Sequence, residues 1–166
     1  MYKSSNHRKT YQKVKFLEAA MIGIFIAILS GACMSVQGVF NTGVTKSTSL
    51  WVSNSWVQAT ALVVCIIGWL VTGRDQFSLL FKVQPKYMLL GGVIGALITL
   101  TVIKSMSMLG PAKAVLFIVI AQIAFAYLIE VLGWFGTEKA DFSIQKIIGL
   151  AVAIGGILIF QWERSS

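Results

Sequence analysis

Acidic residues are scarce in this 166-residue chain, with six Asp and Glu against 14 Lys and Arg and a net charge of +8. Histidine occurs once, as His7, and cysteine twice. Charged residues make up 12% of the chain, half the share of about 25% usual in soluble domains. Each shortage removes a class of function. No Ser/His/Asp group, paired carboxylates or Gly-rich phosphate loop can be assembled, so no enzyme is expected. Cys33 and Cys65 lie inside apolar runs without metal-ligand spacing. They imply neither a zinc site nor a disulfide framework, and thiols so placed pack as small hydrophobes. No metal or cofactor is expected. The basic residues are not gathered in one patch, which argues against nucleic acid as a partner.

What is abundant is apolar sequence, at 57% of residues. Ala19 to Phe40 is 22 residues without a charge, and Leu50 to Gly73 is 24. Tyr87 to Ile103 gives 17, while Ala114 to Ile129 and Ile147 to Trp162 give 16 each. A bilayer core of about 30 Å needs about 20 apolar residues in a helix. The first two runs meet this, and the others do once adjoining residues and snorkelling Lys side chains are counted. The fold class is therefore all-α, a polytopic membrane protein with five transmembrane helices. Their expected spans are about 19–41, 50–72, 87–105, 111–132 and 144–162, forming one domain over 16–162 behind a basic arm at 1–15. The basic start and first run also fit a signal peptide, and Ser30-Gly31-Ala32-Cys33 faintly matches a lipoprotein box. The run continues to Phe40, which favours an uncleaved helix.

Charge sets the expected orientation. Lys3, Arg8, Lys9, Lys13, Lys15, Arg74, Lys82, Lys86, Lys139 and Lys146 fall on one side, and Lys46, Lys104, Lys113 and Arg164 on the other. Positive residues stay in the cytoplasm, so the N-terminus is expected inside and the C-terminus outside. Trp69, Trp134 and Phe135 then fit the inner interface, and Trp51 and Trp162 the outer one. Lys104 and Lys113 flank an expected outer turn at Ser105 to Pro111 and would snorkel outward. The arm Met1 to Lys15 reads as a disordered segment near anionic headgroups.

Small residues recur four apart at Gly91 and Gly95, Gly92 and Ala96, and Gly149 and Ala153, followed by Gly155 and Gly156. Such spacing permits close helix contact, either within one subunit or, for the last helix, across a dimer. Amides are costly at membrane depth and face protein or water. Gln37 and Asn41 share one face of the first helix, Asn54 and Gln58 one face of the second, and Gln122 lies mid-way along the fourth. Gln37, Asn41, Gln58 and Gln122 are candidates for a polar substrate cavity, with interhelical hydrogen bonding as the plainer reading, preferred for Asn54. Glu130, flanked by apolar chain, either couples to protons or pairs with Lys139 or Lys86 at the interface.

Several segments in order carry a resemblance. They are Gln37-Gly38-Val39-Phe40-Asn41, Leu90-Gly91-Gly92-Val93-Ile94-Gly95-Ala96, Leu109-Gly110-Pro111-Ala112-Lys113-Ala114, Ala121-Gln122 and Ile129-Glu130-Val131-Leu132-Gly133-Trp134-Phe135-Gly136. Over about residues 20–160 the chain resembles the YdcZ-type family of the drug/metabolite transporter superfamily, five-helix proteins of the bacterial inner membrane. That family more often has Asp where Glu130 stands. The resemblance implies one repeat of an inverted-repeat transporter, and a substrate site between two oppositely oriented repeats. The implied partners are a second five-helix subunit in inverted orientation, a paralogue or a second copy, together with the lipid bilayer and a small-molecule substrate. The implied function is secondary export of a small metabolite or drug-like molecule. The superfamily's tiny multidrug members use an acid in their first helix; Gln37 and Asn41 stand here instead, which favours neutral or anionic substrates. A non-transporting scaffold or modulatory subunit is the alternative.

Overall fold

Two very short turns and two long loops organise the helices. The computed structural model describes residues 3–160 and 162, with side chains from Tyr11 onward; Arg164 and the side chains of Lys3, His7, Arg8 and Lys9 lie outside it. Five α-helices follow one another, α1 (Lys3–Ser47), α2 (Leu50–Thr72), α3 (Gly91–Leu109), α4 (Pro111–Leu132) and α5 (Ile144–Phe160), with no strand among the described residues. Thr48 and Ser49 alone separate α1 from α2, and Gly110 alone separates α3 from α4. These define the short-turn end. The loops 73–90 and 133–143 lie at the other, long-loop end.

Local chemistry fixes the boundaries. Ser49 caps α2, its hydroxyl oxygen accepting the Val52 N–H at 3.3 Å, which satisfies one of the free donors at a helix start. Gly110 takes φ 81 and ψ 158, a conformation closed to ordinary side chains, and Pro111 then opens α4 with its preset φ. The expected turn at Ser105–Pro111 is thus shorter, because α3 keeps its helical bonds to Leu109. At the long-loop end, two 3-10 segments, Phe77–Lys82 and Lys86–Leu90, lead into α3. The α-helix therefore begins later than the expected residue 87. Helices α2 and α4 cover Leu50–Thr72 and Pro111–Leu132, and α5 is described to Phe160.

The helix α1 departs furthest from expectation. It covers 45 residues, about 67 Å at 1.5 Å per residue, more than twice the bilayer core. The arm expected to be disordered is helical from Lys3, continuous with the membrane span. Residues 3–18 contain no Gly or Pro, so nothing in the chain stops helix propagation there. At the far end, Thr42 and Thr45 donate to the carbonyls of Gly38 and Asn41, both at 2.8 Å, and the helix runs past residue 41 on its own backbone.

Four helices are long and apolar enough to cross a membrane, and α5, with 17 residues, is shorter. The chain is an all-α polytopic membrane protein. Its helix α3 is central, packing against α1, α2 and α4, whereas α5 rests on α4. The accessible surface is 13691 Å² for 18.1 kDa, against about 8,000 Å² for a compact soluble chain of that mass. Most apolar side chains therefore face outward, as lipid contact requires. Gly38, Asn41, Thr42, Ser53, Asn54, Ile103, Met106 and Ala114 are buried, and all lie towards the short-turn end. The core sits where the turns force the helices together, and the helices part towards the long loops.

Candidate functional site

Among the glycines, Gly38 meets its neighbours most closely. A Cβ there would lie 2.5 Å from Met106 Cε and 2.6 Å from Met106 Sδ. With Met106 in this position, only glycine fits at residue 38. Met106 is 3% exposed, wedged against the gap that the missing side chain leaves. The other glycines expected at helix contacts behave differently. A Cβ on Gly91, Gly92, Gly95, Gly149, Gly155 or Gly156 would meet nothing within 4 Å, so none of these makes a close approach within the chain.

Below this crossing, α1, α3 and α4 part to leave a groove of about 280 Å³. Met34 and Ser35 line it from α1, Val102 and Met106 from α3, and Ile118, Val119 and Gln122 from α4. Its wall is apolar apart from Ser35 and Gln122. The Ser35 hydroxyl donates to the Gly31 carbonyl at 3.1 Å, as helix serines do in apolar surroundings. Gln122 thus offers the groove's main directional hydrogen-bonding group, with two donors and an acceptor on one amide.

The remaining amides fall elsewhere. Ser53 donates its hydroxyl to the Asn41 carbonyl at 2.9 Å, tying α2 to α1. Asn54 Nδ2 donates to the Ala96 carbonyl at 3.4 Å, and Gln58 Nε2 to Thr99 Oγ1 at 3.3 Å, tying α2 to α3. Thr99 in turn donates to Gly95 at 3.0 Å. Asn41, Asn54 and Gln58 therefore belong to one polar seam among α1, α2 and α3. Asn54 is 5% exposed and its Oδ1 has no partner, an acceptor left over in a place where such atoms are normally satisfied. Gln37 is exposed and does not line the groove, although it lies one turn from Met34 along α1. The structure thus ties Asn41 to α2 through its carbonyl and Gln58 to α3 through its amide, sets Gln122 in the groove lining, and leaves Gln37 exposed.

Glu130 lies near the end of α4 with its side chain half exposed. Its Oε2 accepts from Lys146 Nζ at 2.9 Å. The expected partners were Lys139 and Lys86; the pair instead joins α4 to α5, because the loop 133–143 folds back and sets the first turn of α5 beside the last turn of α4. Tyr127 reinforces the junction. Its hydroxyl accepts the Ser143 N–H at 2.7 Å and donates to the Ser143 carbonyl at 3.2 Å. Lys146 Nζ sits 5.1 Å from the Tyr127 ring centre, within cation–π reach. Trp69, Trp134 and Phe135 gather at the long-loop end, where the Trp69 indole N–H donates to the Asp75 carbonyl at 2.8 Å.

Met34, Ser35, Met106 and Thr99 were not singled out from the sequence. One signal was present, because Gly31 and Ser35 are small residues four apart and Gly38 follows three later. Among the described residues no group of His, Cys, Asp and Glu could hold a metal ion.

No curated protein and no solved structure matches the chain. A family model does, over residues 22–159, and its description reads "Putative inner membrane exporter, YdcZ". That match takes in every helix described above, from the membrane span of α1 to the end of α5, and the chain belongs to the YdcZ family of inner-membrane exporters.

Proposed function

We propose that this chain is one five-helix unit of a secondary exporter and that its cargo is a small, mainly apolar molecule held in the α1–α3–α4 groove. The observation that carries this reading is the groove itself, apolar at membrane depth and marked by one amide, Gln122. Such sites bind through apolar contact and are oriented by a few polar groups. With no acid on its wall, the groove suits an uncharged cargo better than a cation. Asn41 and Gln58 act as seam-formers in this reading, and Gln37 faces a partner or lipid.

The groove is open on one side, and a second five-helix unit in inverted orientation closes it, as in transporters built from inverted repeats. The Lys and Arg distribution supports an N-terminus in the cytoplasm and a C-terminus outside. The short-turn end then faces outward. Glu130, half exposed and paired with Lys146, serves here as a structural carboxylate at the inner boundary rather than as a proton carrier.

The test is efflux from proteoliposomes loaded with a panel of small neutral fluorophores, comparing the wild type with Val119→Trp, which fills the groove, and Gln122→Leu. Loss of efflux with Val119→Trp and altered selectivity with Gln122→Leu are expected. Unchanged efflux with the groove filled refutes the site. No efflux from the wild type, with binding to another membrane protein retained, supports a scaffold instead.

A further inference from the structure

A second groove, of about 380 Å³, runs between α4 and α5 at the long-loop end. We propose that it holds a membrane phospholipid whose headgroup carries both a phosphate and a primary ammonium. This inference does not depend on the transport reading.

The groove is amphipathic along its length. Glu130 and Lys146 mark one end, two residues from the ends of α4 and α5, at headgroup level. Ile123, Leu150 and Ala153 line the other end, and Ala153 lies about 10 Å deeper than Lys146 along α5. The floor is low because Gly149 carries no side chain, and a Cβ there would touch nothing within 4 Å. A single acyl chain fits such a slot, while the headgroup stays beside the charges.

The charged end matches a zwitterion. Lys146 spends one N–H on Glu130 Oε2 and keeps two donors for phosphate oxygens. Glu130 keeps its second oxygen for an ammonium. Both side chains are about half exposed, at 50% and 49%, so a headgroup reaches both without breaking their contact. A protein helix laid on the same groove would bury the pair away from water, which costs several kcal/mol per ion. A lipid headgroup leaves it at the wet interface. Tyr127 holds the start of α5 through Ser143, so the distance between the two charged side chains is maintained whether or not lipid is bound.

The experiment is native mass spectrometry of the full chain, delipidated in detergent and titrated with phosphatidylethanolamine, phosphatidylcholine or phosphatidylglycerol. Retention of phosphatidylethanolamine about tenfold above the other two is expected, equivalent to about 1.4 kcal/mol. Glu130→Gln, which keeps the shape and removes the charge, brings phosphatidylethanolamine down to the level of phosphatidylcholine. Lys146→Met lowers retention of all three lipids. Gly149→Leu lowers retention without touching a charge. If Gly149→Leu fails to fold, Glu130→Gln decides the matter alone. Equal retention of the three lipids by the wild type overturns the proposal, as does a preference that survives Glu130→Gln. High-yield disulfide crosslinking of Gly149→Cys to a second copy in membranes also overturns it, because a protein then covers the groove.

Discussion

Replacing Gly38 by alanine tests whether the α1–α3 crossing and the groove beside it are one mechanical unit. The new Cβ would stand 2.5 Å from Met106 Cε, about 1 Å inside ordinary van der Waals contact. The atoms in conflict are the flexible end of a methionine, and Met106 also lines the groove. The thioether therefore has somewhere to go. Swinging it costs an off-rotamer term of about 0.5–1.5 kcal/mol rather than a collapse of the bundle. For a chain of this size that corresponds to a melting temperature lower by about 1–6 °C. The groove, in contrast, gains the displaced methyl and loses space. The assay uses Ser35→Cys in a background lacking Cys33 and Cys65, labelled with a small methanethiosulfonate reagent. Gly38→Ala should slow labelling severalfold while melting shifts only slightly. Adding Met106→Ala, which removes both clashing atoms, should restore the labelling rate and cancel the stability cost of Gly38→Ala, a coupling visible in a double-mutant cycle. Labelling at the unchanged rate, or a cost that persists without the Met106 side chain, would refute the steric argument.

Other outcomes follow from the seam and the α5 junction. Asn54→Leu should leave melting unchanged or raised, because it removes an unpartnered acceptor worth about 1–3 kcal/mol of penalty together with a bond worth about 0.6 kcal/mol. A marked fall in melting temperature would mean that something satisfies Oδ1. Gln58→Leu should cost about 0.6 kcal/mol through its bond to Thr99, read as a melting shift of roughly 1–2 °C. Tyr127→Phe removes both bonds to Ser143, so amide exchange at residues 143–147 should rise while exchange in α2 and α3 stays the same. Exchange rising throughout the bundle would show that Tyr127 supports more than the start of α5.

The helices were legible in the sequence as long apolar runs without charge. Ser49 before α2, Gly73 after it, Gly110-Pro111 before α4 and Gly133 after it supply the caps and turns in the structure, a signal separate from hydropathy. The ends of α1 were not legible, because a drop in hydropathy marks where a helix leaves the membrane and not where it stops. Lys, Gln and Glu continue a helix well in water. The site was legible only in depth. Spacing placed Gln37 with Asn41 and Asn54 with Gln58 on shared faces, but it cannot say which neighbour each face meets. Gln122 consequently lines the groove and Gln37 does not. Small-residue spacing permits close contact without compelling it, which is why Gly91 and Gly95 stand open while Gly38 makes the crossing. The partner of Glu130 depended on how an eleven-residue loop folds back, a long-range matter that no local pattern encodes.

Among the described residues, the placement of every buried side chain near the short turns has a consequence for leverage. The helices α1, α2 and α3 are gripped at the short-turn end like the legs of a pair of dividers, whereas α4 and α5 are also tied at the long-loop end through Glu130–Lys146 and Tyr127–Ser143. Over a helix of about 25 Å, a tilt of about 7° at the grip carries the far tip roughly 3 Å. Displacements of that size are absorbed among outward-facing side chains at the free end, while the grip around Ile103 and Met106 keeps its neighbours. A small tilt at the grip would therefore change the width of the mouth of the α1–α3–α4 groove towards the long loops.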